Sequence, residues 1–256
     1  MKQVVLLMTH FYNQSILEKY KKMRRELDDS VYDVVLLFND EYGVEIGELK
    51  KCKLFKFSVS DLNILGYEPI EETIIPGSVY FAVLYFYKMY PCYTYYWFIE
   101  YDVAFTGKWS RLFNAFESCH ADFLSSHIEH FNRLSNGTWT WWYRGLNIDL
   151  PIDKCVKSFN PICRYSKNAL ECLDKHLASG LCGHQEVVVP TILNREQMIL
   201  CDFGGIGDFV QDGFANKFYI QLPGVHMGSL RYRPVFCEQD ILLHGIENKI
   251  YHPVKF

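Results

Sequence analysis

No CxxC pair occurs anywhere in the sequence. Its nine cysteines stand singly at 52, 92, 119, 155, 163, 172, 182, 201 and 237. That scatter argues against a zinc-thiolate site or a disulfide framework and points to reduced thiols in the cytoplasm. A basic surplus is also missing. With a formal net charge of −4, the chain has no broad positive surface for a phosphate backbone, which argues against nucleic acid as a partner. Uninterrupted apolar runs of membrane-spanning length are lacking too, because Lys88 and Pro91 break the richest stretch, 79–103. The opening MKQVVLLMTHF has no small-residue cleavage site and reads as a first β-strand rather than a signal peptide. There is no GxSxG elbow, HExxH helix or Walker lysine, so the chemistries those motifs carry are not indicated. GGIGDF at 204–209 lacks the full GxGxxG pattern and a preceding β-α-β unit, and reads as a turn. Without repeats, linkers or low-complexity segments, 1–256 is expected to form one domain.

What is present suits a globular chain. Of 256 residues, 49% are hydrophobic and 22% charged, enough for a substantial core. Aromatic residues make up 16%, more than a core requires, so some rings are expected to line a groove. KYKKMRREL at 19–27 has helical spacing and is followed by Asp28 and Asp29; it reads as a solvated helix face.

Along the chain, QVVLLM at 3–8 is a continuous apolar run, and residues 16, 17, 20, 23 and 27 repeat at helical spacing. YDVVLLFND at 32–40 is a second apolar strand. A β-α-β unit with strands apolar on both faces predicts a parallel sheet covered by helices. CKLFKFSV at 52–59 reads as a more exposed third strand. A helix over 78–90, capped by Ser78 and stopped by Pro91, leads into the strand YYWFIEYDV at 95–103. A helix within 105–118 and a strand at 121–128 follow. The remainder is less regular: a polar, tryptophan-rich loop at 130–145, a helix at 166–178 ended by Gly180, and 184–196, helical around Pro190 or broken by it. The expected class is α/β, a single Rossmann-like domain with a central, mostly parallel sheet flanked by helices.

YYWFIEYDV ends in two carboxylates, Glu100 and Asp102. Residues two apart on a strand share a face, and ligands of parallel α/β sheets bind beyond the carboxyl ends of the strands. Like charges on one buried face repel and lose hydration, so they require a cation. A hard divalent ion shared with a substrate diphosphate is the natural one. The competing reading makes Asp102 a turn cap and Glu100 a partner of Arg or Lys.

The order strand–helix–strand with Asn39-Asp40, then a helix and an apolar strand ending in carboxylate-x-Asp, resembles glycosyltransferases of the A-type fold. WFIEYDVAFTGKW, HQEVVVPTIL and IYHPVKF are similar to segments of uncharacterised bacterial and fungal members. Glu100 departs from the commoner Asp-x-Asp form. The resemblance implies transfer of a sugar from a nucleotide-sugar to a glycan or lipid-linked acceptor, assisted by Mn²⁺ or Mg²⁺. It implies a nucleotide-sugar-binding half, 1–128, and an acceptor-binding half, 129–256. Donor contacts are expected from Thr9, His10, Asn39, Asp40, Glu100, Asp102 and Lys255, and metal ligation from Glu100, Asp102, His252 and His244.

Glu186 is the expected general base, with Asp208 and Asp212 as alternatives. Trp139, Trp141 and Trp142 are expected at the acceptor. A cytoplasmic role in polysaccharide synthesis, with peripheral association at the inner face of a membrane, would follow. Two other readings stand beside this one: a nucleotidyltransferase on a similar sheet, and a non-catalytic glycan-binding or scaffold protein.

Overall fold

The computed structural model describes residues 2–255 except 72, 73, 75 and 145. Its chain order is β1 (Gln3–Thr9), α1 (Gln14–Glu26), β2 (Tyr32–Asn39), β3 (Leu54–Phe57), α2 (Val59–Leu62), α3 (Phe81–Met89), β4 (Tyr95–Glu100), β5 (Ala104–Phe105), α4 (Trp109–Ala115), β6 (Phe123–His130), β7 (Val156–Ser166), α5 (Lys167–Ala178), α6 (Gln185–Arg195), β8 (Leu200–Asp202) and α7 (Glu238–His244). Short 3₁₀ turns and two-residue strands fill the gaps between these elements.

Seven strands form one sheet in the order β3-β2-β1-β4-β7-β6-β8. Every neighbouring pair is parallel except the two that involve β7, which runs against the rest. Alternation along the strands explains the continuous apolar runs. Val4, Leu6, Tyr96 and Phe98 pack with α3, α5 and α6 on one face. Val5, Leu7, Trp97 and Ile99 pack with α1 and α4 on the other. With both faces covered, neither set of side chains can be polar.

Two local expectations are corrected and one open alternative is decided. Ser78 does not cap α3, whose N-cap is Tyr80 with no side-chain hydrogen bond; the Ser78 hydroxyl instead accepts from the Ile70 N–H. Of the two readings of 184–196, the helical one holds: α6 runs through Pro190 unbroken. The strand β7, inside a region expected to be irregular, is eleven residues long and wholly buried. It holds Lys157, Asn160, Pro161 and Arg164, residue types that argue against a central strand. Pro161 is accommodated where the β6–β7 register shifts between Leu124↔Arg164 and Ser126↔Phe159, since a bulge relieves the strand of the missing N–H.

Buried Arg164 answers three backbone acceptors after α4. Its guanidinium donates to the carbonyls of Phe116 (3.0 Å), Cys119 (2.7 Å) and Ala121 (3.2 Å) and lies over the Tyr95 ring at 4.1 Å.

Candidate active site

The carboxyl end of β4 opens onto a cavity of about 700 Å³. Strand β4 stops at Glu100, and residues 101 and 102 form a turn closed by Val103 N–H to Glu100 O at 3.1 Å. The two carboxylates are therefore brought together by a turn, where strand alternation had been expected.

The chain's last segment crosses this turn. Ile250–Tyr251 pairs antiparallel with β5, and the Val254 N–H donates to Asp102 O at 2.8 Å. That crossing carries His252 Nε2 to 3.5 Å from both Glu100 Oε2 and Asp102 Oδ1. Lys255 Nζ stands 3.6 Å from Asp102 Oδ2. One ligand atom each from Glu100, Asp102 and His252 lies within 4.8 Å of the others.

The chemistry of this trio suits a hard divalent ion. Asp102 Oδ1 is buried without a hydrogen-bond partner, a costly state unless something positive meets it. His252 Nδ1 lies 2.9 Å from the Arg231 carbonyl. A carbonyl only accepts, so Nδ1 carries a proton and Nε2 is the nitrogen turned to the carboxylates. Two oxygens and one imidazole nitrogen form a set that manganese or magnesium accepts.

In the protein alone, the residues balance one another. Burial would push the His252 imidazole down, but Asp102 and Glu100 hold it up, to about 9. Burial would raise the Asp102 carboxyl, and His252, Lys255 and Lys19 more than offset that, leaving it below its usual range.

Glu186 lines the same cavity from the first turn of α6. Burial above all, then the Glu100 charge, raises its carboxyl to about 8, against the opposing pull of Lys157 and His252. His184 caps α6, with Nδ1 accepting from the Glu186 N–H at 3.3 Å; burial drives this imidazole down to about 3, so it is neutral. Lys157, fully buried on β7, pairs with Glu129 Oε2 at 3.1 Å.

The tryptophans divide. Trp139 and Trp141 line the cavity. Trp141 stacks on His184 with ring centroids 4.2 Å apart, and Trp139 meets His226 edge-on. Trp142 is buried in a separate small cluster, its Nε1 donating to Asn136 O at 3.0 Å. It does not reach the cavity, because that carbonyl and Phe131 hold it inward.

Other sequence candidates are also placed apart. The Thr9 hydroxyl donates to Phe11 O, and Asn39 Oδ1 accepts from the Glu41 N–H, both turn contacts. Asp40 pairs with Lys56 at 2.9 Å. His10 packs edge-on against Tyr101 and feels the charges of Lys255 and Asp102 without lining the cavity. Asp208 lines a different depression, of about 270 Å³, with Glu129 and Asn136. Asp212 is exposed, and His244 sits at the exposed end of α7.

Sequence reasoning passed over His184, His226, Lys157 and Lys19. His184 carried a signal, standing two residues before Glu186 at a helix start. Lys19 had been assigned to a solvated face, yet its ammonium donates to the carbonyls of Tyr101 and Val103.

No family model matches this chain. No curated protein matches it either. Among solved structures, it is similar to the bifunctional glycosyltransferase WbbM at 13% identity and TM-score 0.41, over 76% of this chain and 37% of that one. It is also similar to the galactosyltransferase LgtC in complex with donor and acceptor sugar analogs, at 8% identity and TM-score 0.43, over 94% and 77%. A third likeness is to a protein described as a glucose-1-phosphate thymidylyltransferase of Bacillus anthracis, at 9% identity and TM-score 0.42, over 80% and 87%. The chain thus spans little more than a third of WbbM. These likenesses are distant, and the substrates and chemistry of those proteins do not pass to this chain on their strength.

Proposed function

We propose that this protein is a glycosyltransferase of the A-type fold, moving a sugar from a nucleotide-sugar to a carbohydrate or lipid-linked acceptor. One observation carries the reading. Glu100, Asp102, His252 and Lys255 converge at the carboxyl end of β4 in a cavity whose wall also holds a buried carboxylate, Glu186.

Glu100, Asp102 and His252 would hold a divalent cation, which would supply charge neutralisation for the donor diphosphate. Lys255 adds a second positive charge for the leaving phosphate. Glu186, raised to about 8 by burial and by Glu100, is suited to take the acceptor hydroxyl proton, since a general base works best near the operating pH. Trp139 and Trp141 form the wall along which the acceptor lies. In this reading the donor side is built from 1–128 together with His252 and Lys255, so the division into donor and acceptor halves is not strict. Among the described residues no helix is long and apolar enough to cross a membrane, and a lipid-linked acceptor would be met at the membrane surface.

A thermal-shift panel of UDP, GDP and CMP nucleotides, with and without Mn²⁺, tests the donor site on wild type and Asp102→Asn. A nucleotide should raise the wild-type Tm in the presence of Mn²⁺, and the substitution should abolish that rise. No shift with any nucleotide, or an equal shift in the variant, would overturn the proposal.

A further inference from the structure

Three consecutive carbonyls around Asp102 are all occupied. Lys19 Nζ donates to Tyr101 O and, at 2.6 Å, to Val103 O. The carbonyl between them, that of Asp102 itself, accepts from the Val254 N–H at 2.8 Å. One turn further along the same face of α1, Lys22 Nζ donates to Gly107 O at 3.1 Å. A single ammonium thus fixes the 101–102 and 103–104 peptide planes, with the Val254 N–H holding the 102–103 plane between them, around the residue that carries the buried, unpartnered Oδ1.

The Asp102 side chain has no hydrogen bond from Oδ1 to orient it. The turn's backbone therefore sets where the carboxylate can reach, and His252 and Lys255 act on its oxygens at 3.5 and 3.6 Å. Lysine suits this task because a flexible four-carbon stem ends in three donors, enough for two carbonyls. From its place on α1 the side chain reaches across to the turn.

We propose that Lys19 is a positioning residue of the site: it clamps the 101–103 turn so that Asp102 faces Glu100 and His252. This rests on the reading of that trio as a cation and diphosphate site, but the clamp itself is a property of the protein alone.

The test compares wild type with Lys19→Met, which keeps the stem and loses the donors, and Lys19→Arg, which restores donors and charge. Hydrogen exchange of peptides covering 101–107 is measured on metal-free protein, and Mn²⁺ alone is titrated into each variant, with Asp102→Asn as reference. In Lys19→Met, exchange over 101–107 should quicken about tenfold while the seven-stranded sheet keeps its protection. Mn²⁺ affinity should fall about tenfold or more, as when the partner that orients a ligand is removed. Lys19→Arg should return both toward wild type. Should Lys19→Met not fold, Lys19→Gln, with one short donor head, takes its place.

Unchanged protection over 101–107 in the donor-less variant overturns the clamp, as does a freed turn with wild-type Mn²⁺ affinity. If wild type binds no Mn²⁺, or Asp102→Asn binds it equally well, the cation-site reading fails and hydrogen exchange alone decides on Lys19.

Discussion

His252 faces Asp102 across 3.5 Å, with its other ring nitrogen committed to the Arg231 carbonyl at 2.9 Å. The imidazole can therefore serve Asp102 in two ways, as a cation when Nε2 is protonated or as a fellow ligand when it is not. Replacing His252 with Ala should weaken Mn²⁺ binding about tenfold or more, and Asp102→Asn should weaken it further. Calorimetric titration with Mn²⁺ checks both. At neutral pH the wild-type titration should also release protons, seen as a heat that changes with the buffer, because His252 is held protonated until an ion replaces its proton.

Glu186 gives a pH dependence of definite sign. Its folded carboxyl is raised from 4.5 to about 8, so the folded state binds this proton more tightly than the unfolded chain does. The stability it contributes is complete below the unfolded value and is lost as pH rises through the folded one. Glu186→Gln, neutral at every pH, should flatten the stability profile between those limits and raise Tm at pH 8. It should also abolish transfer. Thermal melts across that window, paired with an activity assay, would sink the assignment if Tm at pH 8 fell instead.

Trp142 and Trp141 should respond differently to truncation. Trp142→Ala empties a buried site and should cost ~3–5 kcal/mol in denaturant unfolding. Trp141→Ala removes a half-buried ring from the cavity wall and should change acceptor affinity more than stability. Chemical denaturation of the pair, alongside acceptor binding, separates the two roles.

Arg164 does not line the cavity, yet its loss should be among the most damaging. Arg164→Leu removes this donor from the carbonyls of Phe116, Cys119 and Ala121; Phe116 O keeps the Cys119 N–H, and each buried acceptor left unpaired costs ~1–3 kcal/mol. The expected outcome is a large drop in the urea midpoint. A midpoint within error of wild type would contradict this account.

The sheet was legible where burial is uniform. In β1 and β2, two covered faces leave room only for apolar side chains, and the run announces itself. In β7 the same burial is met by Lys157, Asn160 and Arg164, whose ammonium, amide oxygen and guanidinium NH groups find partners on other strands and loops, so the letters suggest a loop. The site divides similarly. Glu100 and Asp102 stand out because carboxylates break an apolar strand, and Glu186 because it opens a helix. Lys19 could not be found that way. A basic helix face reads alike whether it meets water or the carbonyls of a turn, and only the fold decides which.

The segment that carries His252 and Lys255 is bound outside the main sheet: Ile250–Tyr251 pairs with β5, Val254–Lys255 with Phe236–Cys237, His252 with Ser229 and Arg231, and Val254 with Asp102. Peeling it away would leave the seven-stranded sheet intact while unhooking half of the charge-bearing groups from Glu100 and Asp102. None of these ties is a rung of the seven-stranded sheet, so the segment can open at a free energy below that of global unfolding. Loss of chemistry and loss of fold are therefore separate events in this protein. A preparation can keep its full circular-dichroism spectrum and melting transition after its working site has come apart.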